Sequence, residues 1–207
     1  MDKLDAVTLL NAYCQGIFPM DHDGEIYWYA PDPRAILPLD NFHLPRSLAR
    51  TVKQKKYEVR IDTAFAEVMR ACARSAPGRE DTWISEEFVE VYSQLHEAGF
   101  AHSVESWQDG RLVGGLYGVS INSFFAGESM FSQARDASKV ALVALVNYLR
   151  QRRFLLLDVQ FTTPHLERFG VIEIPRTAYE KRLERALQAK PLPAPAGAIL
   201  HPAAQEP

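Results

Sequence analysis

Asp109-Gly110 lies between two strand-like runs of the chain, Ala101–Gln108 and Arg111–Ile121. A two-residue Asp-Gly turn in that setting commits its flanks to an antiparallel hairpin. A third strand-like run covers 123–129, reached through a turn at Ile121-Asn122-Ser123. Asp136 then stands as N-cap of a long amphipathic helix over 137–150. After it, Phe154-Leu155-Leu156-Leu157-Asp158-Val159-Gln160 reads as a short buried strand. Three antiparallel strands, a helix and a buried strand make an α/β chain with a mixed sheet.

The rest of the chain adds helices around that centre. Apolar residues at Leu4, Val7, Leu10 and Cys14 give 4–15 a helical period that Gly16 ends. Prolines and aromatics crowd 17–40, which excludes regular helix and predicts an ordered loop with one short strand at 35–37. Pro45 opens a basic helix to about Lys55, 57–61 alternates like a strand, and 63–74 reads as a helix before a polar loop over 75–81. Ser85 is a suitable N-cap for a helix over 86–97, which Gly99 stops. A short helix over 163–168 and a longer one over 176–187 close the fold. Length allows one domain, or a main domain over 41–187 with a small N-terminal extension over 1–40, followed by a mobile Ala/Pro-rich tail over 188–207.

Composition excludes several functional classes. No apolar run approaches the roughly 18 residues that cross a bilayer, and the start Met1-Asp2-Lys3-Leu4-Asp5 lacks the basic and apolar stretches of a signal peptide. A cytoplasmic protein without a membrane partner is expected. Cys14 and Cys72 form no metal or redox spacing, so no metal site is expected. A net charge of −3 means that any RNA contact must come from a local basic patch.

The element order at the centre is that of acetyltransferase-like (GNAT-like) folds, which often bind coenzyme A. Such a site needs a glycine-rich turn whose N–H groups hold a pyrophosphate at the helix N-terminus. The segment Phe131-Ser132-Gln133-Ala134-Arg135-Asp136-Ala137-Ser138-Lys139 has no glycine and puts a carboxylate there, which argues against a coenzyme A site. Two other carboxylates sit inside apolar strands: Glu128, and Asp158 with Gln160 two residues on. In a regular strand Asp158 and Gln160 share a face. A buried carboxylate needs a partner, so each is either a core residue satisfied by its neighbours or part of a site. His102 and His165 have no partner spacing that supports an acid–base role, and His102 reads as structural.

The chain also carries, in order, Gly16-Ile17-Phe18-Pro19, Pro31-Asp32-Pro33-Arg34, Thr82-Trp83-Ile84, Ala101-His102-Ser103-Val104-Glu105, Gly114-Gly115-Leu116-Tyr117-Gly118-Val119, Gly127-Glu128-Ser129-Met130-Phe131-Ser132, Ala137-Ser138-Lys139 and Asp158-Val159-Gln160. In these motifs it resembles the leucyl/phenylalanyl-tRNA–protein transferase family, over about 9–187. The resemblance implies an acetyltransferase-like catalytic domain with a small N-terminal domain. It implies transfer of Leu or Phe, with Met a further candidate, from aminoacyl-tRNA to an N-terminal Arg or Lys, marking the acceptor for degradation. No cofactor is implied, because ester-to-amide exchange runs downhill.

Site residues carry over by position. Asp158, Gln160 and Glu128 match the catalytic positions: the two acids suit a cationic acceptor, with Gln160 orienting the attacking amine and Asp158 polarising it directly or through a water. Phe125, Leu116, Leu145 and Leu157 match the aminoacyl pocket. Trp83 matches a ring that stacks at the tRNA 3′ end, and Met20 stands where relatives often have Trp. Candidate phosphate contacts are Arg46, Arg50, Lys53, Lys55 and Lys56, with a second basic cluster at Arg150, Arg152 and Arg153. Two alternatives stay open at this level: an aminoacyl-tRNA-dependent transferase with a different amine acceptor, and a catalytically silent protein that binds the tRNA 3′ end.

Overall fold

The computed structural model describes residues 4–74 and 82–193. Helix α1 (Ala6–Cys14) is followed by a separate hairpin, β1 (Phe18–His22) and β2 (Glu25–Tyr29). Next come β3 (Arg34–Ile36), α2 (Arg46–Lys53), β4 (Glu58–Ile61), α3 (Phe65–Ala73) and α4 (Glu86–Glu97). The centre is β5 (Ala101–Gln108), β6 (Arg111–Ile121), β7 (Phe124–Ser132), α5 (Ala137–Gln151) and β8 (Leu156–Gln160). The described chain closes with α6 (Pro164–Glu167), β9 (Ile172–Ile174) and α7 (Arg176–Gln188).

Seven strands form a mixed sheet in the order β4-β5-β6-β7-β8-β3-β9, in which only β7 and β8 run parallel. Strand alternation sends Leu116, Phe125 and Leu157 to one face, where α2 and α5 cover them. Tyr117, Phe124 and Leu156 go to the other face, under α1, α3, α4 and α7. The sheet is thus the middle of three layers. Glycines let α5 lie close on it: a Cβ at Gly114 would stand 2.5 Å from that of Ala137.

Several expectations are revised. The stretch over 17–40 is not one loop, because Asp23 and Gly24, both at positive φ, turn β1 back onto β2. Proline density concealed this hairpin: Pro19 lies in a two-stranded ribbon, where a missing N–H is tolerated. Arg34–Ile36, near the end of the same stretch, pairs within the large sheet. Strand β9 was not anticipated. Asp136 occupies the N-cap position of α5 but has a left-handed backbone and makes no side-chain cap. Ser132 Oγ instead accepts the Ser138 N–H (3.2 Å), and Asp136 pairs with Lys139 (2.7 Å). Ser85 likewise makes no side-chain cap on α4. The polar loop over 75–81 and residues 194–207 of the expected tail lie outside the described residues. Before them, Leu192 is tied to Arg152 by reciprocal hydrogen bonds of 2.9 and 2.7 Å. Among the described residues, no helix is long and apolar enough to cross a membrane.

Candidate active site

Where β7 and β8 separate, a cavity opens. Their pairing covers Phe124, Phe125 and Ala126 against Leu156, Leu157 and Asp158, and no further. Beyond it, residues 127–132 of β7 and Val159-Gln160 of β8 line a cavity of about 470 Å³. Bulges shape both walls. Gly118 pairs with Gly127 and Tyr117 with Ser129, which leaves Glu128 as the extra residue on β7. Ala35 pairs with Gln160 and Ile36 with Asp158, which leaves Val159 extra on β8, and Gln160 has a φ of 66°. A bulge re-aims the side chains around it. Glu128 and Gln160 both line the cavity, and the Gln160 amide donates to Glu128 Oε1 at 2.9 Å.

Asp158 does not reach the cavity, so the shared face expected of Asp158 and Gln160 is lost at the bulge. It is fully buried. Its Oδ1 accepts from Arg34 Nε (3.0 Å) and the Gln160 backbone N–H (2.9 Å). Its Oδ2 accepts from Arg34 Nη2 (2.7 Å) and the Tyr179 hydroxyl (2.8 Å). Arg34, also buried, is sandwiched between the Phe18 and Tyr179 rings at 4.6 and 4.7 Å and donates to the Gly16 carbonyl. Four charged or hydrogen-bonded contacts therefore occupy Asp158 and brace the left-handed backbone of Gln160.

Glu128 is held differently. It keeps partial access through the cavity, while its Oε2 is shielded and has no hydrogen-bond partner among the described residues. Burial pushes its carboxyl up to about 7. The nearby Tyr13 hydroxyl and the Gln160 amide oppose that shift, Asp158 adds to it, and Arg34 opposes it further. Tyr13 and Tyr92 share a buried hydrogen bond of 2.5 Å, and burial raises both phenols well above their ordinary value.

The remaining expected residues sort clearly by position. Leu116, Leu145 and Leu157 line the cavity, with Leu142, Met130 and Leu166 among its other apolar residues. Phe125 packs in the same apolar cluster but does not line the cavity. Trp83 and Met20 both line it, and Asp21 N–H to the Trp83 carbonyl (3.4 Å) joins the hairpin to the Trp83 segment. Arg46, Arg50, Lys53, Lys55 and Lys56 are exposed, as are Arg150 and Arg153. Arg152 is committed to Tyr148 and Leu192. His102 bonds Asp62 through Nδ1 at 2.7 Å, away from the cavity. His165 lines the cavity, and burial together with Lys139 and Arg168 lowers its pKa. Sequence reasoning missed Tyr13, Tyr92 and Tyr179, and gave Arg34 no role; no local spacing marks residues that meet only through the tertiary fold. A larger hollow of about 1180 Å³ lies between α1, α4 and the hairpin, but neither Glu128 nor Gln160 lines it.

Comparison with known proteins places the chain in a family. The family profile described as Leucyl/phenylalanyl-tRNA protein transferase matches residues 36–184, and that of its N-terminal domain matches 2–32. A Leucyl/phenylalanyl-tRNA--protein transferase of Herpetosiphon aurantiacus is 61% identical over 187 residues, covering 90% of this chain and 96% of its own. The protein of that name from Akkermansia muciniphila is 55% identical over 190 residues, covering 90% and 98%. The one from Phenylobacterium zucineum is 55% identical over 192 residues, covering 91% and 87%. The chain belongs to the leucyl/phenylalanyl-tRNA protein transferase family of enzymes.

Proposed function

We propose that the cavity between β7 and β8 transfers Leu or Phe from aminoacyl-tRNA to the α-amino group of an acceptor protein that begins with Arg or Lys. The observation that carries this reading is the juxtaposition of an apolar pocket with the Glu128–Gln160 pair at its side. Leu116, Leu145 and Leu157 suit a branched or aromatic donor side chain, and Trp83 and Met20 offer faces for the terminal adenine.

With its amide nitrogen given to Glu128, Gln160 has its carbonyl oxygen left to accept an N–H of the acceptor amine. That contact aims the nitrogen lone pair at the ester carbon. The C–N bond forms as the ester C–O bond breaks. The amine proton passes to the ionised Glu128 carboxylate, which returns it to the departing ribose oxygen, so that no net proton is gained or lost. A carboxyl near 7 and an α-amino group near 8 are matched for this exchange. Asp158 acts through Arg34 and the Gln160 backbone, as a positioning residue. Holding amine and ester together supplies much of the rate, since effective molarities reach roughly 10⁵–10⁸ M.

The basic strip supports an approach of tRNA from the α2 side. Its two ends are anchored beside the cavity: His43 N–H bonds the Phe169 carbonyl just past α6 (3.0 Å), and Tyr57 OH bonds the Arg135 carbonyl just before α5 (2.7 Å).

The test is transfer itself. The protein is incubated with Leu-, Phe- or Met-tRNA and a peptide beginning with Arg or with Asp, and added mass is read. Leu or Phe added to the Arg peptide alone is expected. Addition to the Asp peptide would contradict the acceptor reading, and no addition to either would contradict transfer.

A further inference from the structure

The hairpin β1–β2 has two unlike faces. Its register pairs Phe18 with Tyr29, Met20 with Tyr27 and His22 with Glu25, so these side chains share one face. That face starts at the cavity, which Met20 and Phe161 both line. Phe18 packs edge-on against Phe161 at 5.7 Å and stacks on Tyr29 at 5.9 Å. From there the face runs outward through Tyr29, His22, Tyr27 and Glu25 to a shallow hollow of about 520 Å³. Its members brace one another: Tyr29 OH and His22 Nε2 lie 2.9 Å apart, and Tyr27 OH donates to Glu25 at 3.3 Å. Even so, Tyr27 and Phe161 remain 49% and 43% exposed.

Charge decides what this face can hold. Glu25 on this face and Asp23 at its turn both line the hollow, and the segment 16–33 contains neither Lys nor Arg. A phosphate backbone would meet carboxylates and no cation of the hairpin itself there. A polypeptide with cationic side chains would find carboxylates and aromatic rings together.

We infer that the face running from Phe161 through Tyr29 and His22 to Tyr27 and Glu25 docks the acceptor polypeptide just downstream of its reacting residue. The inference rests on the transfer reading of the cavity. A five-residue strand spans about 17 Å, room for about four or five extended acceptor residues beyond the first. Acceptors with Lys or Arg in those positions are favoured over those with Asp or Glu.

The test uses the full chain with Leu-tRNA and three acceptors: the dipeptide Arg-Ala, and eight-residue Arg-initiated peptides carrying Lys or Asp at positions 3 and 5. The unmodified protein should prefer the Lys peptide by about tenfold in kcat/KM. The double variant Tyr27→Ala/Glu25→Lys should abolish that preference while leaving dipeptide transfer and the KM for Leu-tRNA unchanged. A preference that survives the double variant would overturn the inference. So would a raised KM for Leu-tRNA with acceptor preference intact, which would make the face an RNA contact. Absence of dipeptide transfer by the unmodified protein would overturn the transfer reading, and this surface with it.

Discussion

Glu128 and Asp158 are both carboxylates in strands, yet their surroundings give them opposite tasks. Asp158 is saturated by Arg34, Tyr179 and the Gln160 backbone, whereas Glu128 faces the cavity with a raised pKa. Breaking the buried pair with Arg34→Met should lower stability by about 3–5 kcal/mol, since a lone buried charge remains. In Arg34→Met/Asp158→Leu, chemical denaturation should recover part of that loss, but transfer should stay impaired because Gln160 is no longer braced. Full recovery of activity would refute the positioning role. Glu128 also predicts a pH effect on stability. Its folded pKa is raised, so the native state holds a proton that the unfolded state has released between about 4.5 and about 7. Stability from this group is present below that window and declines as pH rises through it. Thermal unfolding of Glu128→Gln should therefore gain on the unmodified protein between pH 5 and 8. The sequence showed two acids in apolar runs, but it could not say which one Arg34 would claim, 124 residues away along the chain.

At the level of elements, the β5–β6–β7 meander, α5 and β8 were legible because turn chemistry and periodicity are local. The bulges at Glu128 and Val159 were not, since a bulge is a property of pairing between strands. The hairpin β1–β2 stayed hidden behind Pro19 and the prolines that follow it at 31, 33 and 38. Gly118 shows how tightly the β6–β7 bulge is built: an added Cβ would lie 2.2 Å from the Ala126 carbonyl oxygen and 2.4 Å from the Phe125 ring. Gly118→Ala should cost about 1–3 kcal/mol in chemical denaturation, as overpacking does, and should impair transfer by displacing Glu128. On α5, Leu145 lines the pocket. Leu145→Phe should lower the ratio of Phe to Leu transfer by about 10- to 100-fold, measured with mixed charged tRNAs. An unchanged ratio would place the donor side chain elsewhere.

The whole molecule divides its charge around the cavity. Exposed Arg46, Arg50, Lys53, Lys55 and Lys56 gather on the α2 side, while the hairpin side carries carboxylates and aromatics. A net charge of −3 concealed this division, because an average says nothing of distribution. If tRNA approaches from the α2 side, Lys53→Glu/Lys56→Glu should raise the KM for Leu-tRNA. The same variant should flatten the salt dependence by about one logarithmic unit of slope per lost phosphate contact. Leucyl-adenosine, which lacks the tRNA body, should be used as before. Equal loss with that small donor would mean damage to the cavity rather than to an RNA contact.

In the proposed mechanism Glu128, and not Asp158, receives the acceptor's proton. The most direct measurement is the pH dependence of kcat/KM for an Arg-initiated peptide, compared between the unmodified protein and Glu128→Gln. A rising limb with a midpoint near 7 is expected in the unmodified protein and absent from Glu128→Gln, where only the acceptor amine's own titration near 8 remains. A profile that keeps its limb near 7 in Glu128→Gln would contradict it.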